Sequence, residues 1–223
     1  MHRNRNPTTT WLILLTISTT GFIFLAWWSG SAWGQQFDQT LLRALLYSGE
    51  PVRPLGPDWL REAGRDLTSL GSISVLVFIT LAVSGWLALK RRWRWVMVLL
   101  ATIVPGVLLS FGLKQLFSQP RPQLIADVTQ TFTSSFPSSH AMASLIVYLT
   151  LAWVIGQQPG ARTVRAYLVV VALTVSFVAG FSRLYLSVHW PSDVLAGWMA
   201  GLAWLATSAL LARKTGLAPK RAR

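Results

Sequence analysis

The sequence has no cysteine, so neither a disulfide nor a thiolate nucleophile or thiolate metal site is open to it, and the redox compartment is left undetermined. Acids are also scarce, with seven Asp and Glu against twenty Lys and Arg. So few carboxylates, spread along the chain, do not make a magnesium-type oxygen cage. The alternating segments of a transmembrane β-barrel are missing as well. No repeat, low-complexity tract or long linker divides the chain, so residues 1–223 are read as one unit.

What is abundant is apolar surface: 52% of residues are hydrophobic and only 12% charged. Six runs, 11–28, 69–89, 95–116, 138–156, 166–185 and 193–212, approach the length needed to cross roughly 30 Å of hydrocarbon. In lipid the backbone must satisfy its own hydrogen bonds, so these runs are expected to be helices. The expected fold is all-α, a bundle of six transmembrane helices. The amino terminus, MHRNRNPTTT before an apolar run, allows a signal peptide cut near Ser31 or Ala32. That run is longer than most signal cores, which favours a retained first helix.

The net charge of +13 raises the question of nucleic acid, and its distribution answers it. Thirteen cations fall at Arg3 and Arg5, in KRRWR (90–94), at Arg162 and Arg165, and in the tail from Arg213 to Arg223. These are the two termini and alternate loops of a six-span chain, so they share one face, the cytoplasmic one by the positive-inside rule. The acids Asp38, Glu50, Asp58, Glu62, Asp66, Asp127 and Asp193 then lie in or beside the external loops. The basicity reports topology and no nucleic-acid partner is expected; a polybasic lipid-binding surface is a secondary reading.

The first external segment, 29–68, carries two amphipathic pieces, QFDQTLLRALLY (36–47) and PDWLREAGRDLTSL (57–70). They are expected to be short helices, either a cap on the bundle or a rim that guides lipid. Trp11, Trp27, Trp28, Trp93, Trp95 and Trp190 lie near span ends, as an aromatic belt does. Gly197 and Gly201 form a GxxxG pair, explained most simply by close packing within one bundle.

Three external elements hold the unusual chemistry. KQLFSQPRP places Lys114 and Arg121 seven residues apart, PSSH spans 137–140, and SRLYLSVHWPSD spans 182–193. Two of the three histidines lie in these elements. Pro137 suits a first helical position, which would leave the free N–H groups of Ser138 and Ser139 pointing at an anion, with His140 beside them as a proton donor. In HWPSD, Asp193 follows His189 by four residues, close enough for a carboxylate to orient an imidazole if the helix extends back that far. Lys114, Arg121 and Arg183 add the charge that a phosphoryl group requires. Taken singly, each has an ordinary explanation: snorkelling cations, a plain helix start, a structural hydrogen bond. Their coincidence at one face argues for a site.

In this order, K-x6-RP, PSxH and SR-x5-H-x3-D resemble the three signature motifs of the type 2 phosphatidic acid phosphatase superfamily, and the six-span layout resembles its bacterial membrane branch. The motifs occupy 114–193. The resemblance implies that His189 is a phosphorylated nucleophile, Asp193 its orienting partner and His140 the acid for the leaving oxygen. It implies further that Lys114, Arg121, Arg183, Ser138 and the backbone of Ser139 bind phosphate, with no metal or other cofactor. Two positions depart from the pattern: Ser139 replaces the usual glycine of PSGH, and Ser187 stands where glycine is frequent.

The expected protein is therefore a lipid phosphatase of a bacterial inner membrane, with both termini cytoplasmic and its site facing the periplasm. By resemblance its leading substrates are undecaprenyl pyrophosphate and phosphatidylglycerophosphate, among membrane lipids. A phosphotransferase using the same phosphohistidine, and a non-catalytic lipid-binding or transport protein, are the alternatives. Oligomeric state has no signature in the sequence.

Overall fold

A computed structural model describes residues 7–49, 51–125, 133–157 and 162–217. Each expected apolar run is a helix: α1 (Pro7–Gly30), α4 (Ile73–Leu89), α5 (Trp93–Leu116), α6 (Ser139–Ile155), α7 (Arg162–Tyr185) and α8 (Pro191–Lys214). Four of these, α1, α5, α7 and α8, are long and apolar enough to cross a membrane alone. The chain is a multi-pass, mostly helical membrane protein. The run 69–89 is shortened: α4 starts at Ile73, capped by Ser72, and meets α3 (Asp58–Ser69) at a 48° bend, so only as a pair do they pass for a fifth span.

Helix α6 is shorter, at 17 residues, and is apolar on every side. A helix without a polar face belongs inside a bundle. Met142, Ala143, Ile146, Val147, Leu151 and Val154 meet Leu76 and Leu87 from α4, Leu99 and Ile103 from α5, and Ala200 from α8. The GxxxG pair explains how α8 comes so close. A Cβ on Gly197 would lie 2.5 Å from the Ser138 carbonyl oxygen, and one on Gly201 would lie 3.2 Å from Leu145 Cδ2. The pair thus packs α8 on α6 inside the chain.

Between α1 and α4, α2 (Ala32–Arg43) and α3 are the two amphipathic helices, joined through a two-residue antiparallel pairing of β1 (Leu46–Tyr47) with β2 (Arg53–Pro54). The expected 36–47 helix is displaced towards the amino terminus. Ser31 caps α2 by accepting from the Gly34 N–H, and the face that packs inward is Gly34, Asp38 and Leu42. Leu46 and Tyr47 are thereby released to the strand. Helix α2 packs on α8 and α3 on α7, so this segment caps the end where α6 and α8 begin. Of the belt tryptophans, Trp27 and Trp93 are exposed on the outer surface, whereas Trp190 donates from Nε1 to the Pro120 carbonyl and so belongs to the site. Glu50, Asp127 and the tail beyond residue 217 lie outside the described residues, as do Arg3 and Arg5.

Gly197→Ala is expected to lower thermal stability in detergent by about 2 kcal/mol, since overpacking a tight contact costs roughly 1–3 kcal/mol. Gly201→Ala should cost less than half as much, because its nearest neighbour is the mobile end of a leucine. Equal melting temperatures for the two variants would refute the α6–α8 contact.

Candidate functional site

The site is built where two helices start and two end. Lys114 is in the last turn of α5 and Arg183 in the last turn of α7, positions where a cation meets the negative end of the helix dipole. Facing them are the amino-terminal ends of α6 and α8, which carry the opposite partial charge. Arg121 is on the extended segment after α5, which cannot re-enter a helix between Pro120 and Pro122.

His189 precedes α8. The helix does not extend back to it: Trp190 is the N-cap and Pro191 the first helical residue. The carboxylate reaches the ring because it folds back as a capping group. Asp193 Oδ2 accepts from the Trp190 backbone N–H at 2.8 Å, lies 3.2 Å from His189 Nδ1, and takes a third hydrogen bond, a short one, from the Ser135 hydroxyl. Asp193 is wholly buried and His189 is 1% exposed. With Nδ1 committed to the carboxylate, Nε2 is the free nitrogen, and Arg121 Nη1 stands 3.3 Å from it while donating to the Val188 carbonyl at 2.9 Å. The other arm of Arg121 is held by Thr133, through Oγ1 at 3.2 Å and the carbonyl at 3.3 Å.

The remaining candidates converge by less direct routes. Lys114 Nζ donates to the Ser134 carbonyl at 2.7 Å. Arg183 Nη1 donates to Thr68 Oγ1 at 3.1 Å, and its Nε is buried with no partner among the described residues. His140, partly exposed at the second position of α6, lies in the fields of Arg183, His189, Lys114 and Arg121. Pro137 does not begin α6. It follows a cis peptide bond after Phe136, and Ser138 is the N-cap, its Oγ accepting from the Ala141 N–H at 3.5 Å. Ser138 also donates its own N–H to the Asp193 carbonyl at 3.0 Å, which joins PSSH to HWPSD through the backbone.

The two replaced glycines are both buried serines whose hydroxyls find no partner among the described residues. Ser187 holds φ at +53°, a left-handed conformation that explains why glycine suits the position. Among the described residues no three His, Asp or Glu converge as metal ligands.

Sequence reasoning missed Ser135, Thr68 and Asp38. The last is a buried carboxylate reaching across from α2: Oδ1 accepts from the Ser192 N–H at 3.0 Å and Oδ2 from its hydroxyl at 2.5 Å. It therefore satisfies the first turn of α8 one residue before Asp193. The signal was there in the sequence, because Asp38 shares the inward face with Gly34 and Leu42 at intervals of four.

Burial pushes the His189 pKa well below the ordinary imidazole range, and the charges of Arg183, Arg121 and Lys114 push it the same way. A hydrogen bond with the Ser135 backbone pushes the other way without offsetting them. At neutral pH the ring is neutral, the form that has a free lone pair.

The PAP2 superfamily profile matches residues 94–216. Phosphatidylglycerophosphatase B of Bacillus subtilis strain 168 is 28% identical over 170 residues, 75% of this chain and 79% of that protein. Undecaprenyl-diphosphatase of Sulfolobus acidocaldarius is 25% identical over 145 residues, 62% of this chain and 66% of that one. Among solved structures, a transmembrane PAP2-type phosphatidylglycerolphosphate phosphatase from Bacillus subtilis superposes with a TM-score of 0.80 at 25% identity, over 94% of this chain and 98% of that one. LpxE of Aquifex aeolicus gives 0.53 at 27% identity, over 77% and 93%.

Two outcomes follow from the geometry. Asp38→Ala should lower stability by about 3 kcal/mol, the loss of two hydrogen bonds to a buried charge. Turnover should fall with it while KM stays near the wild-type value, because Asp38 acts on α8 and not on the substrate; a change confined to KM would contradict this. In the pH range below about 6.5, the unfolded chain protonates His189 and the folded chain does not, so folding stability is present above that pH and declines as pH drops. The loss approaches ~1.4 kcal/mol per pH unit. Thermal melts from pH 7.5 to 5.5 should show it in the wild type and a flatter profile in His189→Gln.

Proposed function

The chain belongs to the PAP2 superfamily, and on that premise we propose that it is a metal-independent lipid phosphatase working through a phosphohistidine. One observation carries the reading: the His189 ring is bound at Nδ1 by Asp193 while its Nε2 looks towards the Arg121 guanidinium.

In this mechanism the terminal phosphoryl group enters between Arg121, Arg183 and Lys114, with the N-terminal end of α6 contributing Ser138 and the Ser139 N–H. Nε2 of His189 attacks phosphorus, a P–N bond forms and the P–O bond to the lipid breaks. His140 gives its proton to the departing oxygen. Asp193 offsets the positive charge that develops on the phosphorylated imidazole. Water, deprotonated by His140, then attacks phosphorus, the P–N bond breaks, and inorganic phosphate leaves with His189 regenerated. The cations stabilise the charge spread over the equatorial oxygens in both steps.

The lipid class follows from the relatives. One is named for phosphatidylglycerophosphate and another for undecaprenyl diphosphate, so these two lipids are the leading substrates. For topology, we take α1, α4, α5, α6, α7 and α8 as six spans of a bacterial inner membrane. The starts of α1 and α7 and the end of α8 then lie in the cytoplasm, where Arg3, Arg5, Arg165, Arg213 and Lys214 put the positive charge, and the site at the other ends faces the periplasm.

The test is phosphate release by the purified protein from both lipids with a chelator present. The expected result is hydrolysis of at least one of them, reduced more than about 1,000-fold in His189→Ala. His140→Ala should lose about 100-fold or more. Wild-type turnover in His189→Ala excludes the phosphohistidine, and labelled phosphate recovered in lipid instead of water identifies a transferase.

A further inference from the structure

About 35 Å from the site, at the far end of α8, the bundle opens again. A cavity of about 1160 Å³ lies between the amino-terminal end of α1, the carboxyl-terminal ends of α6 and α8, and the amino-terminal end of α7. Nothing in the proposed reaction uses it.

Its lining is polarised along the helix axes. Arg165, Arg213 and Lys214 border it at the helix ends. Arg213 and Lys214 are exposed, and Arg165, partly exposed, donates from Nε to the Gly156 carbonyl at 3.0 Å. Deeper in, the wall is Leu173 on α7 with Leu202 and Leu205 on α8. Leu173 is eight residues beyond Arg165 and Leu202 eleven before Arg213, so the apolar wall extends roughly 12–16 Å into the bundle at 1.5 Å per residue. No described Asp or Glu lies on the helix ends that form the mouth: the described acids are Asp38, Asp58, Glu62, Asp66 and Asp193, all in the external segment or at the start of α8.

From this polarity we propose that the cavity holds one anionic phospholipid from the leaflet at the basic end, its phosphate between the three cations and an acyl chain along the leucine wall. Charge complementarity selects an anion, since three cations with no described acid among them attract a phosphodiester that carries net negative charge more strongly than a zwitterionic headgroup. Shape selects a lipid over a free anion. The cavity is as large as the upper range of small-molecule sites, roughly 300–1,000 Å³, and an inorganic phosphate would leave the leucine wall uncovered. The inference rests on the fold alone and stands whatever the substrate of the catalytic site.

The purified full chain, placed in nanodiscs of phosphatidylcholine with or without 30% phosphatidylglycerol, provides the test. Phosphatidylglycerol should raise the melting temperature by about 4 °C or more over phosphatidylcholine alone. That difference should vanish in the triple variant Arg165→Gln, Arg213→Gln, Lys214→Gln. Should the triple variant not fold, Ala209→Trp, which fills the cavity one turn inside Arg213 and keeps every charge, should abolish the difference by itself. An equal rise with both lipids would overturn the charge selection. The same rise with inorganic phosphate alone, if it too vanishes in the triple variant, would overturn the lipid. A difference that persists in the triple variant assigns the effect to the catalytic cations, and one that persists in Ala209→Trp assigns it to the outer basic surface; either refutes the site.

Discussion

One carboxylate oxygen holds this site together. Asp193 Oδ2 is at once the cap for the Trp190 N–H, the partner of His189 Nδ1 and the acceptor of the Ser135 hydroxyl. Those donors come from two separate pieces of backbone: His189 and Trp190 are consecutive residues of the turn before α8, and Ser135 is on the segment leading into PSSH. A buried carboxylate is costly unless its hydrogen bonds are made, so the three donors and the acid are mutually required. The register of α8, the tautomer of His189 and the approach of the 133–138 segment are then settled together.

Packing delivers these pieces to one place. Because α6 is apolar on all sides it sits at the centre, and because α8 presents Gly197 and Gly201 it approaches α6 closely enough for the Ser138 N–H to reach the Asp193 carbonyl. The cap formed by α2 and α3 closes the arrangement over the starts of α6 and α8. Asp38 braces the first turn of α8, and Thr68 takes one arm of Arg183. The segment carrying α2 and α3 thus supports the site's own residues, which a passive cover would not do. Its exposed Trp33, Phe37, Leu41 and Trp59 also give it an apolar outer surface suited to the headgroup layer.

The fold was legible where the membrane limits the choices. Long apolar runs can only be helices, so the positions of all six could be read, and the amphipathic piece 57–70 was already separate from the run 69–89; what could not be read is that α4 begins only at Ile73, after the Ser72 cap, and is too short to cross a membrane without α3. The motif residues could be singled out because few side chains suit phosphoryl chemistry, and the structure brings them to one end of the bundle. Ser135, Thr68 and Asp38 escaped for a different reason. A serine in TSSF or a threonine in DLTS is ordinary loop or helix-end composition, and its importance arises only from a partner over fifty residues away. Ser187 is an intermediate case, its unusual role as a non-glycine residue at positive φ being visible only from the backbone.

The balance of charge at the site has a consequence for what it selects. Three cations, Lys114, Arg121 and Arg183, and the positive ends of α6 and α8 face a single carboxylate that is already committed to His189. Attraction in a partly dry site grows with the charge of the incoming group, since the effective dielectric is well below that of water. A terminal phosphomonoester carries about −1.5 to −2 at neutral pH, whereas the diester of an ordinary phospholipid carries about −1. Surrounded by membrane diesters in vast excess, a site of this kind discriminates by charge before it discriminates by shape. On the proposed phosphatase reading, terminal phosphates and pyrophosphates are therefore the groups that such a site would favour by charge.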